Sequence, residues 1–238
     1  FWVECLARYH LLEKSGIKPD YYILPDKMKF HKQFIQLIKI KPEQIIKLKE
    51  GSVICADNLV ISSLINNNKM IKSVVVKQWL PSWLTEFYCN FQNPQAKPIH
   101  RIYISRSKGV RKILNEAPLI EMLNKYNFKI LHLEDLSVME QIKFFNHASI
   151  IIAPHGAGLV NMSFSKKGTI ILELLPQYLH ESGLRILATT LGHNYNYLIG
   201  CAKEAIKQNL AQRKKEYLTG LDFSVDVNRI EKFLNDNI

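Results

Sequence analysis

The sequence predicts an α/β protein of two Rossmann-like domains, whose parallel sheets face each other across a cleft. Strand and helix patterns alternate clearly in the C-terminal half, and they alternate again, less clearly, in the N-terminal half. A polar segment with two prolines at 92–98 separates the halves and is the best linker candidate. We therefore expect an N-terminal domain over 1–95, a C-terminal domain over 96–200 and a tail with a closing helix over 201–238.

The N-terminal half is expected to hold helices and short strands. Apolar residues recur near helical spacing over 1–15 and 30–38, and Gly16 is a plausible end of the first helix. Short apolar runs predict strands at 21–25, 52–55 and 74–76. This half has the weaker pattern of the two.

The C-terminal half has the cleaner pattern, and its apolar runs predict strands at 101–105, 128–133, 149–153, 169–174 and 195–199. The unbroken apolar run that ends at Ala153 is typical of a strand buried on both faces. Ser137 and Glu140 have the spacing of a capping box, which predicts a helix from there to about Ala148. Further helices are expected from about 115, at 159–164, at 183–191 and in the tail after 222.

The composition suits a soluble globular protein, and its basic balance leaves several kinds of partner open. Hydrophobic residues make up 47% and charged residues 22%, and the formal net charge is +11. Such a balance fits phosphate-bearing ligands, nucleic acid or an anionic membrane surface. The basic residues are scattered, and neither an RNA-binding signature nor a zinc finger is present. A solvated surface therefore explains most of the lysines, and nucleic acid is not expected as a partner.

The expected compartment is the cytoplasm, with peripheral membrane association left open. The four cysteines are widely spaced and form no CxxC motif, so reduced thiols are the default. No apolar run is long enough to cross a bilayer, and no signal peptide is visible. The chain starts without Met and inside a helix pattern, so it reads as a fragment from which an anchor could be missing.

The loop Pro154–Leu159 is the strongest candidate for a binding site, because ligands of open parallel sheets lie beyond the carboxyl ends of the strands. Gly156 and Gly158, with Ala157 between them, let the backbone approach a ligand, and amides at the start of the next helix can hold a phosphate. His155 could donate to that phosphate or act as an acid or base. The alternative is a tight turn without function, since the loop is neither GxGxxG nor a P-loop.

Two further strand ends carry charged side chains. Ser105 and Arg106 follow one strand, and a guanidinium there could grip a diphosphate, with Arg111 close behind. The alternative is a solvated loop. Glu173 ends an otherwise apolar strand, where a carboxylate often bonds ribose hydroxyls, and the alternative is an ion pair at a domain boundary.

Other titratable residues give weaker indications. Glu4 and Arg8 lie one helical turn apart, so they could form an ion pair or face the cleft. The histidines show no paired spacing that indicates a metal, and no DxD-type carboxylate pair is found in a cleft loop. Neither a metal nor a cofactor is expected.

Several short motifs together resemble glycosyltransferase family 61, and their order and spacing are similar to those of its bacterial capsular-polysaccharide branch. The resemblance covers most of the chain and is strongest from about 101 to 175. Its motifs are Ile104–Arg106, Asn115–Glu116, Leu136–Ser137 with Glu140–Gln141, Ala153–Leu159 with Asn161, and Gly168–Thr169 with Leu172–Leu174.

The resemblance implies a GT-B architecture and an inverting, metal-independent transferase that moves a sugar from a nucleotide-sugar, often a UDP-sugar, to a glycan or polysaccharide. Without a metal, the leaving diphosphate needs cationic side chains and helix N-termini. The base would be Glu4 or His155. The family's usual His before the Glu4 position would fall before Phe1. The implied donor site comprises Ser105, Arg106, Arg111, His155, Gly156, Ala157, Gly158, Leu159, Asn161 and Glu173.

The main alternative is a non-catalytic module that binds a nucleotide-sugar without turning it over. A nucleic-acid binder is a second alternative, suggested by the net charge of +11 and disfavoured by the scattered lysines. The first would bind nucleotide without forming product. The second would bind DNA or RNA with strong salt dependence.

Overall fold

A computed structural model describes residues 5, 7–49, 51–62, 101–179, 182–202 and 220–238 of the chain. The chain divides into two compact units, residues 1–80 and 81–238, which are described separately below. The expected strand at 74–76 and the expected linker at 92–98 lie outside the described residues. The domain limits drawn from the sequence therefore stay predictions.

Both helices expected in the N-terminal unit are confirmed over the described residues. Helix α1 is Ala7–Ser15, and it ends as expected at Gly16, whose φ of +74° is left-handed and whose amide donates to Glu13 O at 3.1 Å. Helix α2 is Lys29–Leu37, and it buries Phe34 and Ile35.

The strands expected in the same unit are largely absent from its described part. The strand expected at 21–25 is reduced to one parallel bridge, between Tyr22 and Ile45. The prediction of a strand at 52–55 was wrong, because these residues pair with no described strand and Val53 is 89% exposed. A short β-branched run gains stability as a strand only where a neighbour supplies hydrogen bonds and a packed face. A second parallel sheet, and with it the GT-B arrangement, stays a prediction.

The second unit contains the predicted parallel sheet. Its strands alternate with helices along the chain, which confirms the α/β class. The strands are β1 Arg101–Ile104, β2 Lys129–Leu131, β3 Ile150–Pro154, β4 Ile170–Pro176 and β5 Asn194–Gly200. All pairs are parallel, and the strand order is β2-β1-β3-β4-β5. The order reverses between β1 and β3, which makes that gap the topological switch point.

Helices and a long 3₁₀ helix cover this sheet. They are α3 Glu116–Lys125, α4 Val138–His147, the 3₁₀ helix Ala157–Phe164, α5 Gly183–Thr190 and α6 Val227–Asn237. Helices α3 and α6 share one core with Tyr103, Ile152 and Leu172. Strand side chains of the opposite parity, such as Ile151 and Ile171, are equally buried, and the 3₁₀ helix packs against both α4 and α5. No described helix is long and apolar enough to span a bilayer.

Two local contacts fix the helices to this framework. The predicted capping box is confirmed: Ser137 N donates to Glu140 Oε2 at 2.7 Å, and Glu140 N donates to Ser137 Oγ at 3.3 Å. The side chain of Asn115, just before α3, forms two hydrogen bonds with the backbone of Val225, a pair of bonds that we call the Asn115 clasp. Its amide nitrogen donates to Val225 O at 2.8 Å, and its oxygen accepts from Val225 N at 2.9 Å. This clasp ties the start of α3 to the segment that leads into α6.

Candidate active site

The loops after β1 and β3 meet at the switch point, where the fold favours ligand binding. The Arg106 side chain lies directly against Gly156: a Cβ at that glycine would be 1.7 Å from Arg106 Nη1 and 2.8 Å from its Cζ. Gly158 is close-packed in the same way, because its Cβ would lie 2.7 Å from Leu133 Cδ1. The two glycines therefore serve close contacts, and the first of them brings together the two loops singled out in the sequence.

Arg106, which lies against this loop, is close enough to Arg111 for the two charges to interact. Burial first, and then the charge of Arg111, lower the pKa of Arg106 from its ordinary value, while Glu134 opposes the shift. Within the described ranges, no carboxylate lies within 4 Å of either guanidinium. Two neighbouring guanidinium groups without close carboxylates suit an oxyanion with more than one charge.

Arg111 is held in an unusual backbone conformation. Its φ is +61°, in the left-handed region, and its amide donates to Gly220 O at 3.2 Å. Its Nε is buried without a hydrogen-bond partner in the described part of the chain. A strained backbone and an unsatisfied buried donor both cost free energy, so this residue has the features common at functional sites.

His155 and Glu173 form a buried pair below the same loop. His155 Nδ1 lies 2.5 Å from Glu173 Oε1, and the two residues are 6% and 1% exposed. Strand pairing explains the contact, because His155 directly follows β3 and its amide donates to Leu174 O at 2.9 Å, next to Glu173 on β4. With Nδ1 engaged, any proton transfer by this imidazole runs through Nε2.

Tyr195 completes this buried group and was not singled out in the sequence. Its hydroxyl donates to Glu173 Oε2, so each carboxylate oxygen has a partner. Burial, followed by the hydrogen bond to Glu173, raises the pKa of Tyr195 above its ordinary value. Alternation of side chains along β5 indicates which residues share a face with Tyr195. The contact with Glu173 depends on the register between β4 and β5, which cannot be read from a single sequence. Both interpretations of Glu173, a ribose contact and an ion pair at a domain boundary, stay predictions.

The remaining residues of the predicted donor site mostly support the loop from within. Ser105 is buried, and its hydroxyl accepts from Ser107 N at 3.2 Å. Leu159 is 1% exposed, and the Asn161 amide donates to Gln141 Oε1 on α4 at 2.7 Å. Ala157 is exposed, and its amide has no backbone acceptor in the described part of the chain. Direct contacts of these residues with a nucleotide stay predictions.

Two expectations about the rest of the site are untested. Glu4 lies outside the described residues, whereas Arg8, one turn later, donates from Nε to Ser62 Oγ at 3.1 Å. No group of three or more His, Cys, Asp or Glu side chains that could hold a metal occurs among the residues described. Metal independence stays a prediction.

A parallel sheet with an arginine and a close-packed glycine turn at its switch point defines an α/β protein with a cationic edge. A family model described as Glycosyltransferase 61 matches residues 1–172, which is more than half of the chain. The chain belongs to glycosyltransferase family 61. The family assignment agrees with the resemblance noted in the motifs, whereas the bacterial capsular branch is not shown.

Curated relatives have names that describe transfer of N-acetylglucosamine. Protein O-linked-mannose beta-1,4-N-acetylglucosaminyltransferase 2 of Mus musculus is 32% identical over 110 residues, covering 42% of this chain and 19% of the relative. The Xenopus tropicalis protein of the same name is 29% identical over 113 residues, covering 45% and 19%. EGF domain-specific O-linked N-acetylglucosamine transferase of Drosophila melanogaster is 29% identical over 139 residues, covering 52% and 26%. The chain thus spans about a fifth to a quarter of these relatives.

Proposed function

We propose that this chain binds a nucleotide-sugar, most simply a UDP-sugar, and transfers the sugar with inversion to a hydroxyl of a glycan acceptor. The observation that carries the proposal is the Arg106 guanidinium lying against Gly156 at the switch point, with Arg111 beside it. Membership of family 61 supports the same reaction class.

The diphosphate of the donor is proposed to lie between the two guanidinium groups and the start of the 3₁₀ helix. A guanidinium offers parallel N–H donors to phosphate oxygens, and the amides of Ala157 and Gly158 have no backbone acceptor within the described ranges. As the bond between the sugar and the diphosphate breaks, these donors would stabilise the charge on the leaving group. This chemistry requires no metal.

His155 is the proposed base, with Glu4 kept as the alternative. In the reaction, the acceptor hydroxyl gives its proton to the base, and its oxygen attacks the anomeric carbon from the side opposite the diphosphate. The carbon–oxygen bond to the diphosphate breaks, and the configuration inverts. Glu173 would hold the imidazole through Nδ1, so that Nε2 takes the proton.

The test is nucleotide release by the full chain from a panel of nucleotide-sugars, with UDP-N-acetylglucosamine first because the relatives' names specify that sugar. The acceptor panel should include capsular-type polysaccharides, which the motifs favoured, and mannose-bearing and EGF-domain peptides. We expect acceptor-dependent release of UDP from one donor, without added metal and in the presence of EDTA. Binding without turnover on any acceptor would instead favour the non-catalytic module.

A further inference from the structure

We propose that Tyr195 is a positioning residue of this site, whose hydroxyl orients the Glu173 carboxylate so that its other oxygen binds His155. The inference rests on the proposed role of His155 in transfer. It adds a third strand to the functional site, because the three side chains come from β3, β4 and β5 or the residue directly after them.

The geometry of the carboxylate supports this role. Glu173 is 1% exposed, and its oxygens have separate partners: His155 Nδ1 at Oε1 and the Tyr195 hydroxyl at Oε2. The terminal torsion of a glutamate is broad, so one hydrogen bond alone leaves the plane of the carboxylate free to turn. A second bond from another strand removes that freedom, and it thereby fixes the direction in which the imidazole is held.

The direction of the hydrogen bonds in this group follows from its central carboxylate. An ionised carboxylate accepts hydrogen bonds and cannot donate them, so in the proposed arrangement the phenol and His155 Nδ1 are the donors to Glu173. Burial and the Glu173 charge both oppose ionisation of Tyr195, with Arg185 acting in the opposite direction. Tyr195 and His155 Nδ1 therefore both donate to Glu173, and Nε2 is the nitrogen through which His155 would exchange a proton.

The chain contains a matched control at Tyr197. This tyrosine lies two residues later on β5, on the same face, and its ring centroid is 6.5 Å from that of Tyr195. It is 56% exposed, and its hydroxyl bonds no residue in the described ranges. Tyr197 is paired with Glu173 in the register of β4 and β5, so Tyr197→Phe removes the same oxygen from an equally close position without removing a hydrogen bond to the carboxylate.

The first experiment measures the imidazole directly, in the full chain without ligand. A proton in a short, buried N–H···O bond gives a downfield NMR signal, which His155→Gln would assign to Nδ1–H. We expect Tyr195→Phe to move this signal and Tyr197→Phe to leave it in place. An unchanged signal in folded Tyr195→Phe overturns the proposal. If that variant does not fold, 3-fluorotyrosine placed at 195 keeps the ring and strengthens the donor, and it should move the signal where the same replacement at 197 does not.

The second experiment uses kinetics once a donor is known. Tyr195→Phe should lower kcat about tenfold and change the donor KM less than about twofold, as expected when a group that orients a catalytic histidine is lost. In a Glu173→Gln background the same substitution should have no further effect. Additive effects, or a change in KM alone, would overturn the proposal. If the NMR signal moves but no donor is turned over, positioning stands and the proposed transfer fails.

Discussion

At the scale of single residues, the site depends on a glycine at position 156, where no side chain fits. Gly156 is buried and extended, so its backbone would accept any residue, and it is the Arg106 guanidinium that leaves no room for a Cβ. This glycine is therefore required by a contact with a side chain of the protein, whereas the sequence had suggested close approach of the backbone to a ligand.

Gly156→Ala should weaken UDP binding about tenfold or more, equivalent to about 1.4 kcal/mol, while the fold persists. The added Cβ would meet only the movable end of the Arg106 side chain, so the arginine shifts and the strands stay in place. Calorimetry with UDP measures the effect. Gly109→Ala is the matched control, since its Cβ would lie at an ordinary 3.7 Å from Arg106 O and should leave the affinity unchanged. Equal affinities for both variants would contradict the assigned site.

Arg106→Lys should lower kcat/KM for the donor by about 100-fold, because an ammonium keeps the charge but loses the planar fork that binds two phosphate oxygens. Initial rates of nucleotide release measure this. Lys108→Ala is the control from the same loop, since its ammonium is exposed and already lies 2.5 Å from Asp135 Oδ2. The kcat/KM of that variant should remain within about twofold of the parent value. A comparable loss of kcat/KM in both variants would mean that the overall positive charge of the loop, and not the guanidinium of Arg106, is what matters.

At the scale of elements, the sequence predicts those helices and strands whose stabilising contacts involve residues close by in the chain. The strand ending at Ala153 could be predicted because its run of apolar residues indicates burial. The helix that begins after Ser137 could be predicted because Ser137 and Glu140 have the spacing of a capping box. The run at 52–55 has the same local composition but no described partner. Tyr195 was missed for a related reason, since its partner lies on another strand and register is set by the whole sheet.

Asn115→Ala should lower the free energy of unfolding by about 1–3 kcal/mol, because two backbone groups of Val225 lose their partners. Denaturant titration of the full chain measures this. Asn237→Ala is the control: its exposed amide bonds Phe233 O within α6, and the change should stay within about 0.5 kcal/mol. If Asn115→Ala had as small an effect as the control, these two hydrogen bonds would not stabilise the attachment of the segment before α6 to the start of α3.

At the scale of the whole molecule, stability should depend on one buried histidine on the approach to β5. The Nε2 of His193 lies 3.0 Å from Met162 O, and its Nδ1 is buried with no partner in the described part of the chain. Burial lowers the pKa of His193 from its ordinary value of 6.5. The backbone carbonyls of Met162 and Lys166 oppose this shift, but burial is the larger cause, so the folded state favours the neutral ring.

The sign of the pH dependence follows from this shift. The unfolded chain binds a proton near pH 6.5 and the folded chain only at lower pH, so the contribution is full above pH 6.5 and is lost as the pH falls toward the folded pKa. Thermal unfolding between pH 7.5 and 5 should therefore show a falling Tm, and His193→Gln should flatten that slope. A slope that is the same in both proteins would assign the acid sensitivity to other groups.

The pairing of 111–115 with 220–225 has a consequence for biosynthesis. Lys112, Asn115 and their partners Asp222 and Val225 are 110 residues apart in the chain, and the amide of Arg111 is anchored to Gly220. All five described strands end by Gly200, so they can pair while the residues up to Gly220 are still being made, and until then Arg111 lacks its anchor. The nascent chain thus acquires its sheet before Arg111 is anchored. If the proposed function holds, nucleotide should begin to stabilise the protein only after residue 225 has emerged.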